Sequence, residues 1–135
     1  MEKLLWKIIR DKLPKYFIQR IETQIERGIP DVHYTVDGVS GWIEGKYIDT
    51  PKRQNTKLKV KLSVEQIAWH KAYKHYGGLV YILVKKNREI YLFDGSDGEE
   101  LAKGVTRERF QELSLANKWI EIDKILSSKE KKIIY

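Results

Sequence analysis

A mixed β-sheet flanked by helices, an α/β or α+β arrangement, is what the sequence predicts, and three stretches carry the prediction. Asp31 to Ile48 reads as a β-hairpin. Its first arm, Asp31-Val32-His33-Tyr34-Thr35-Val36, alternates in character, Asp37-Gly38 is a strong reverse turn, and Gly41 to Ile48 is a second extended run. Leu79 to Val84 is continuously apolar, which suits a strand buried on both faces. Between these, Ile67, Ala68, Trp69, Ala72 and Tyr73 continue a helix that opens at Ser63 and stops at Gly77-Gly78.

The other elements follow in chain order. Met1 to Leu13 carries Leu4, Leu5, Trp6, Ile8, Ile9 and Leu13, a stripe too wide for a simple surface helix. Pro14 starts or kinks a second helix, on which Phe17, Ile18, Ile21 and Ile25 recur at helical spacing with Glu22 at the stripe's edge. Ile48 to Gln54 is turn-rich and reads as a loop. Lys57-Leu58-Lys59-Val60-Lys61-Leu62 alternates strictly, with three lysines on one face. Ser63 is a good N-cap, and Gln66 completes a capping-box pattern that competes with any chemical role for that glutamine. His70 and His75 are five apart, off a common face, and read as exposed or as contacts to a bound partner; Trp69 reads as core. Asn87-Arg88 turns the chain into Glu89 to Phe93, an antiparallel partner. Asp94 to Gly98 lacks the spacing and terminal glutamate of an EF-hand and reads as a turn. Thr106 caps a helix through Phe110 and Leu113. Trp119 to Leu126 reads as a further amphipathic helix or a mixed strand and helix, and Lys129 to Lys132 is a charged tail.

The 135 residues suit one domain, 1–135, with a single core, and the hydrophobic share of 41% is ordinary for a globular chain. No apolar run reaches membrane-spanning length, there is no signal-peptide pattern, and the absence of cysteine excludes disulfides and thiolate zinc sites. A cytoplasmic location is expected, that of a host cell if the protein is viral. The net charge of +7, with a pI near 9.5, favours a polyanionic partner.

The chemistry-bearing residues cluster at the hairpin. Glu44 and Lys46 project from one face of their strand while Gly45 points the other way, and Asp31 shares a face with His33 and Thr35. If the register sets Asp31 beside Glu44, two carboxylates and a lysine converge. Such a pair repels unless a cation sits between, so a divalent-metal site is the simplest reading, and oxygen ligands select Mg²⁺ or Mn²⁺.

Glu22, then Gly28-Ile29-Pro30-Asp31, then Glu44-Gly45-Lys46, then Gln66 in a helix resembles the signature of the PD-(D/E)xK nuclease superfamily. The order is similar to its VRR-NUC group, especially small stand-alone phage-type junction resolvases. The resemblance covers roughly Phe17 to Val84. It departs from the pattern at Gly45, where an apolar residue is usual.

The resemblance implies an α/β, restriction-endonuclease-like core and metal-dependent hydrolysis of DNA phosphodiesters. Asp31, Glu44 and the Gly45 carbonyl would hold Mg²⁺ or Mn²⁺, and Glu22 a second ion or a water. Lys46 would orient the attacking water and stabilise developing charge, and Gln66 would fix Lys46 or the phosphate. Lys57, Lys59 and Lys61 offer ammonium groups at a spacing close to that of phosphates, and Lys52 and Arg53 add to the same patch; the alternative is an edge strand guarded by lysines. The partner implied is branched DNA, bound by a homodimer with Leu4, Leu5, Trp6, Ile8 and Ile9 as candidate interface or, alternatively, as buried core. A non-catalytic DNA-binding module and a general or restriction-type nuclease without junction preference are the competing readings.

Overall fold

Five strands form one sheet whose spatial order matches their chain order. They are β1 (Phe17–Arg20), β2 (Val32–Val36), β3 (Val39–Ile48), β4 (Val80–Lys86) and β5 (Glu89–Asp94). The structure is a computed structural model that describes residues 3–21 and 27–128. All neighbours pair antiparallel except β3 and β4, which run parallel. A parallel pair needs a crossover, and here it contains helix α2 (Val64–His75). Helix α1 (Lys3–Lys12) precedes the sheet, while α3 (Gly98–Lys103), α4 (Arg107–Leu113) and α5 (Trp119–Leu126) follow it.

Local chemistry fixes the pieces. Asp37 and Gly38 both take positive φ, 49° and 79°, the conformation a two-residue hairpin turn needs to match strand twist. That turn sets the β2–β3 register, with Val32 opposite Ile43 and Val36 opposite Val39. Val32, Tyr34 and Val36 therefore point to one side, with Ile43, Tyr81, Leu83 and Leu92, and are closed over by Leu5 and Ile9 of α1, Leu13 just after it, and Ile122 and Leu126 of α5. The opposite side gathers Ile82, Val84, Tyr91 and Phe93 under Leu101 of α3, Phe110 of α4 and the Leu58–Val60 segment. The sheet thus separates two cores, and β4 serves both, as its unbroken apolar run predicted.

The structure departs from the sequence reading at several places. Phe17–Arg20 is an edge strand, not a helix, with Phe17 opposite Thr35 and Arg20 opposite Val32. Helical spacing over so few apolar residues was ambiguous, and the open edge of β2 decided it. Leu5 and Ile9 are fully buried in the core, and Trp6 packs on the same core, so these three of the candidate interface residues are used within the monomer. His70 is fully buried rather than exposed, and Trp69 is half-buried and belongs to neither core. Gly95–Asp97 is a 3₁₀ turn and runs directly into α3, a helix the sequence did not signal. The Lys57–Leu62 segment is not a strand of the sheet: Leu58 bridges Val105, and the Val60 N–H donates to the Leu101 carbonyl at 3.1 Å.

Candidate functional site

Residues 32 and 43 lie opposite each other, so the next pair outward along the same antiparallel register is Asp31 and Glu44. Asp31 sits just before β2, and its carboxylate Oδ2 accepts a hydrogen bond from the Gly45 N–H at 3.1 Å. Its own carbonyl accepts from the Ile21 N–H at 2.7 Å, which ties it to the end of β1. The approach to Asp31 depends on Gly28. That residue takes φ of 93°, and a Cβ there would run into the Glu65 carbonyl in the first turn of α2. A glycine is therefore required for residues 27–31 to lie against the helix that completes the site.

Gln66 holds the site together. Its Oε1 accepts from the Ser63 N–H at 2.9 Å and from Lys46 Nζ at 3.3 Å, and its Nε2 donates to Glu44 Oε1 at 3.2 Å. Ser63 Oγ accepts from the Gln66 N–H in return, which completes the capping box. Capping and contact with the site are thus compatible. The amide oxygen has two lone pairs, and the amide nitrogen supplies the donor that the cap does not use. Helix start, carboxylate and lysine are coupled through one side chain.

Glu44 is 1% exposed. Burial, then its hydrogen bond with Asp31 and the charge of Asp31, push its carboxyl up to about 9, and Lys46 only partly opposes them. Two carboxyl groups in a poorly solvated corner, with one ammonium group for compensation, are what a hard divalent cation relieves. The donor set agrees. Gly45 directs its N–H toward Asp31, and a strand residue's C=O points to the same side as its N–H. The Gly45 carbonyl therefore faces Asp31 rather than the β4 ladder. The residues present fit a hard divalent ion held by oxygen, although no group of three or more His, Asp or Glu occurs among the described residues. Glu22 lies outside the described residues.

Gly45 is buried opposite Leu83, on the side away from the carboxylates, as strand alternation required. Lys57, Lys59 and Lys61 are all exposed while Leu58 and Val60 are buried, so the alternation was read correctly, and the row ends two residues before the Ser63 cap. Lys52 and Arg53 are exposed in the loop after β3. Arg107 of α4 donates from Nη2 to the Pro51 carbonyl at 2.9 Å and to the Arg53 carbonyl at 3.5 Å, fixing that loop. No sequence pattern announced Arg107, because its partners lie more than fifty residues away. His70, one turn beyond Gln66, makes no well-formed hydrogen bond from its ring nitrogens among the described residues, its one polar contact being a weak one with the Gly95 backbone. Burial lowers its pKa, so it is neutral and packs as an apolar ring.

No protein-family model matches the chain, and no curated protein does. Among solved structures it is similar to the Holliday junction resolvase Hjc of the archaeal hyperthermophile Archaeoglobus fulgidus. The two share 16% identity with a TM-score of 0.51, over 70% of this chain and 77% of that one. At such identity the likeness is one of fold: a mixed five-stranded sheet flanked by helices, of restriction-endonuclease-like architecture.

Proposed function

From that shared fold and the residues placed on it, we propose that the chain is a divalent-metal-dependent endonuclease that hydrolyses DNA phosphodiesters, a VRR-NUC-like enzyme selective for four-way junctions. The observation that carries the reading is the linked array of Asp31, Glu44, Lys46 and Gln66, whose members lie on β2's entry, β3 and the first turn of α2. A structural cap would need only Ser63 and Gln66. Burying the Glu44 carboxyl, with half-buried Asp31 and Lys46 beside it, costs stability that a cap alone does not require.

Asp31, Glu44 and the Gly45 carbonyl would hold Mg²⁺ or Mn²⁺, which when bound supplies Lewis acidity toward a phosphate oxygen and lowers the pKa of water. Lys46 sits beside Glu44 with its ammonium hydrogen-bonded by Gln66, in place to orient the attacking water and to meet negative charge as it builds on the phosphate. Gln66 keeps that ammonium and the Glu44 carboxyl in a fixed relation. Lys57, Lys59 and Lys61, with Lys52 and Arg53, contact the backbone phosphates on either side. Glu22 is assigned a supporting place at a second ion or a water.

Junction selectivity draws on the resolvase whose fold this chain shares. Resolution requires two symmetrical cuts, and a chain with one site supplies them as a twofold dimer. The test is cleavage of single-stranded, duplex, flap and four-way-junction DNA with Mg²⁺ or Mn²⁺, paired with sedimentation. Paired nicks confined to the junction, from a dimer, are expected. Equal cutting of linear duplex by a monomer would leave a general nuclease, and binding without cutting would leave a DNA-binding module.

A further inference from the structure

Several of the largest side chains outside the two cores lie together. His33, Trp42, Trp69 and Tyr73 belong to neither core, yet they form one unbroken run of ring contacts. Tyr73 stacks on Trp69 with centroids 4.8 Å apart and 22° between planes. Trp69 meets Trp42 edge-on at 5.6 Å, and Trp42 meets His33 at 4.8 Å. All four are half-buried, each keeping part of its ring open to solvent. The strand register extends the run. His33 lies opposite Gln19, so Phe17, two residues earlier on β1, shares its face, and Phe17 is 69% exposed. Leu101 of α3 and Phe110 of α4 pack with β4 and β5 side chains on this side of the sheet, and the core they close contains no residue of β1 or β2.

The strip borders the candidate site. Trp42 precedes Glu44 by two residues on the same strand face, His33 follows Asp31 by two, and Trp69 lies one helical turn beyond Gln66. Two strand residues span about 7 Å, comparable with one step of an extended nucleic-acid strand.

We infer that this strip receives unpaired nucleobases, so that the preferred DNA carries unstacked nucleotides immediately beside the scissile phosphate. The inference rests on the nuclease reading and specifies its substrate. Aromatic rings accept any base by its π-face, independent of sequence. A folded protein seated on the strip would also cover Asp31 and Glu44 and shut the site. A base stacked there instead delivers its own phosphate to the site, and the +7 charge draws in the strand that bears it.

The test is a binding measurement in EDTA at fixed salt, where no cutting occurs. The ligands are a fully paired four-way junction and the same junction with unpaired thymidines at the branch. The unaltered protein is expected to bind the second about tenfold more tightly. Trp42→Ala and Trp69→Ala should each remove most of that preference and leave affinity for the paired junction unchanged, while Trp69→Phe keeps it. Because an alanine variant can fail to fold, the unaltered protein is also irradiated with 5-iodouracil at the unpaired positions. Cross-links should map to Trp42, Trp69, Tyr73 or His33. Equal affinity of the unaltered protein for both junctions, or cross-links confined to the lysine row, overturns the inference. So does a strip variant that loses self-association while its preference for unpaired bases is intact. Stacking on the strip with no cutting in Mg²⁺ would sink the nuclease reading alone; cutting without any preference for unpaired bases would sink the strip alone.

Discussion

Replacing Glu44 by glutamine isolates the electrostatic feature on which the site depends. In the metal-free protein the carboxyl holds its proton up to about pH 9, whereas an ordinary glutamate releases it near 4.5. Across that window the folded state binds one proton more than the unfolded chain, so stability falls as pH rises, by at most about 1.4 kcal/mol per pH unit. Near pH 7.5, some three units above the unfolded value, the upper limit is about 4 kcal/mol, and coupling to Asp31 and Lys46 brings the expected effect to about 2–3 kcal/mol. Glu44→Gln mimics the protonated group. Its amide oxygen still accepts from Gln66 and its amide N–H groups still face Asp31, but nothing titrates. The variant should match the wild type near pH 4.5 and exceed it by about 2–3 kcal/mol near pH 7.5, roughly 10 °C in Tm. Urea unfolding followed by tryptophan fluorescence from pH 4.5 to 9, in EDTA, measures the difference. Adding Mg²⁺ should then stabilise the wild type and not the variant, because the ion favours the ionised carboxylate. A wild-type-minus-variant difference that stays flat with pH would refute the account of Glu44, and equal stabilisation of both by Mg²⁺ would refute the metal site.

Three further outcomes follow from the same geometry. Lys46→Ala should lower turnover at least a hundredfold with little change in DNA affinity, whereas alanine at Lys57, Lys59 and Lys61 should weaken binding and flatten its salt dependence by about one unit of slope for each phosphate no longer neutralised; kcat and Kd measured on one junction separate the two. Gln66→Glu keeps an acceptor for the Ser63 N–H but removes the donor to Glu44 and adds a third carboxylate, so helix content should hold in circular dichroism while cleavage falls at least tenfold. Removing metal from the wild type with EDTA should abolish cleavage and leave junction binding intact in a gel-shift assay, and Asp31→Ala in saturating Mg²⁺ should behave the same way.

What the sequence revealed of this molecule depended on how local the determinants were. The β2–β3 hairpin was legible because Asp37-Gly38 demands one turn and the turn dictates the register, which in turn brings Asp31 to Glu44. The α2 helix was legible from Ser63 and Gln66. The β1 strand was not: Phe17, Ile18 and Ile21 suit either period, and the state of Phe17–Arg20 was settled by the edge of β2, a partner that lies beyond the eleven residues 21–31. The double duty of Gln66 was also hidden, since a capping motif is complete within four residues and gives no sign that the spare amide donor reaches Glu44, twenty-two positions away. His70 misled for a related reason. Polarity suggested the surface, but α2 turns that side toward Gly98 and Leu62, where a neutral imidazole serves as filler.

The placement of α1 and α5 has a practical consequence. Both pack on the side of the sheet that faces away from Asp31, Glu44 and Lys46, and Tyr34 spans from the sheet to α5 by donating to the Leu126 carbonyl at 3.0 Å. An affinity handle, fluorophore or surface tether attached just before α1 or just after α5 therefore starts from the rear of the molecule. Immobilised through either helix, the protein would present its carboxylates and lysine row outward to DNA in solution.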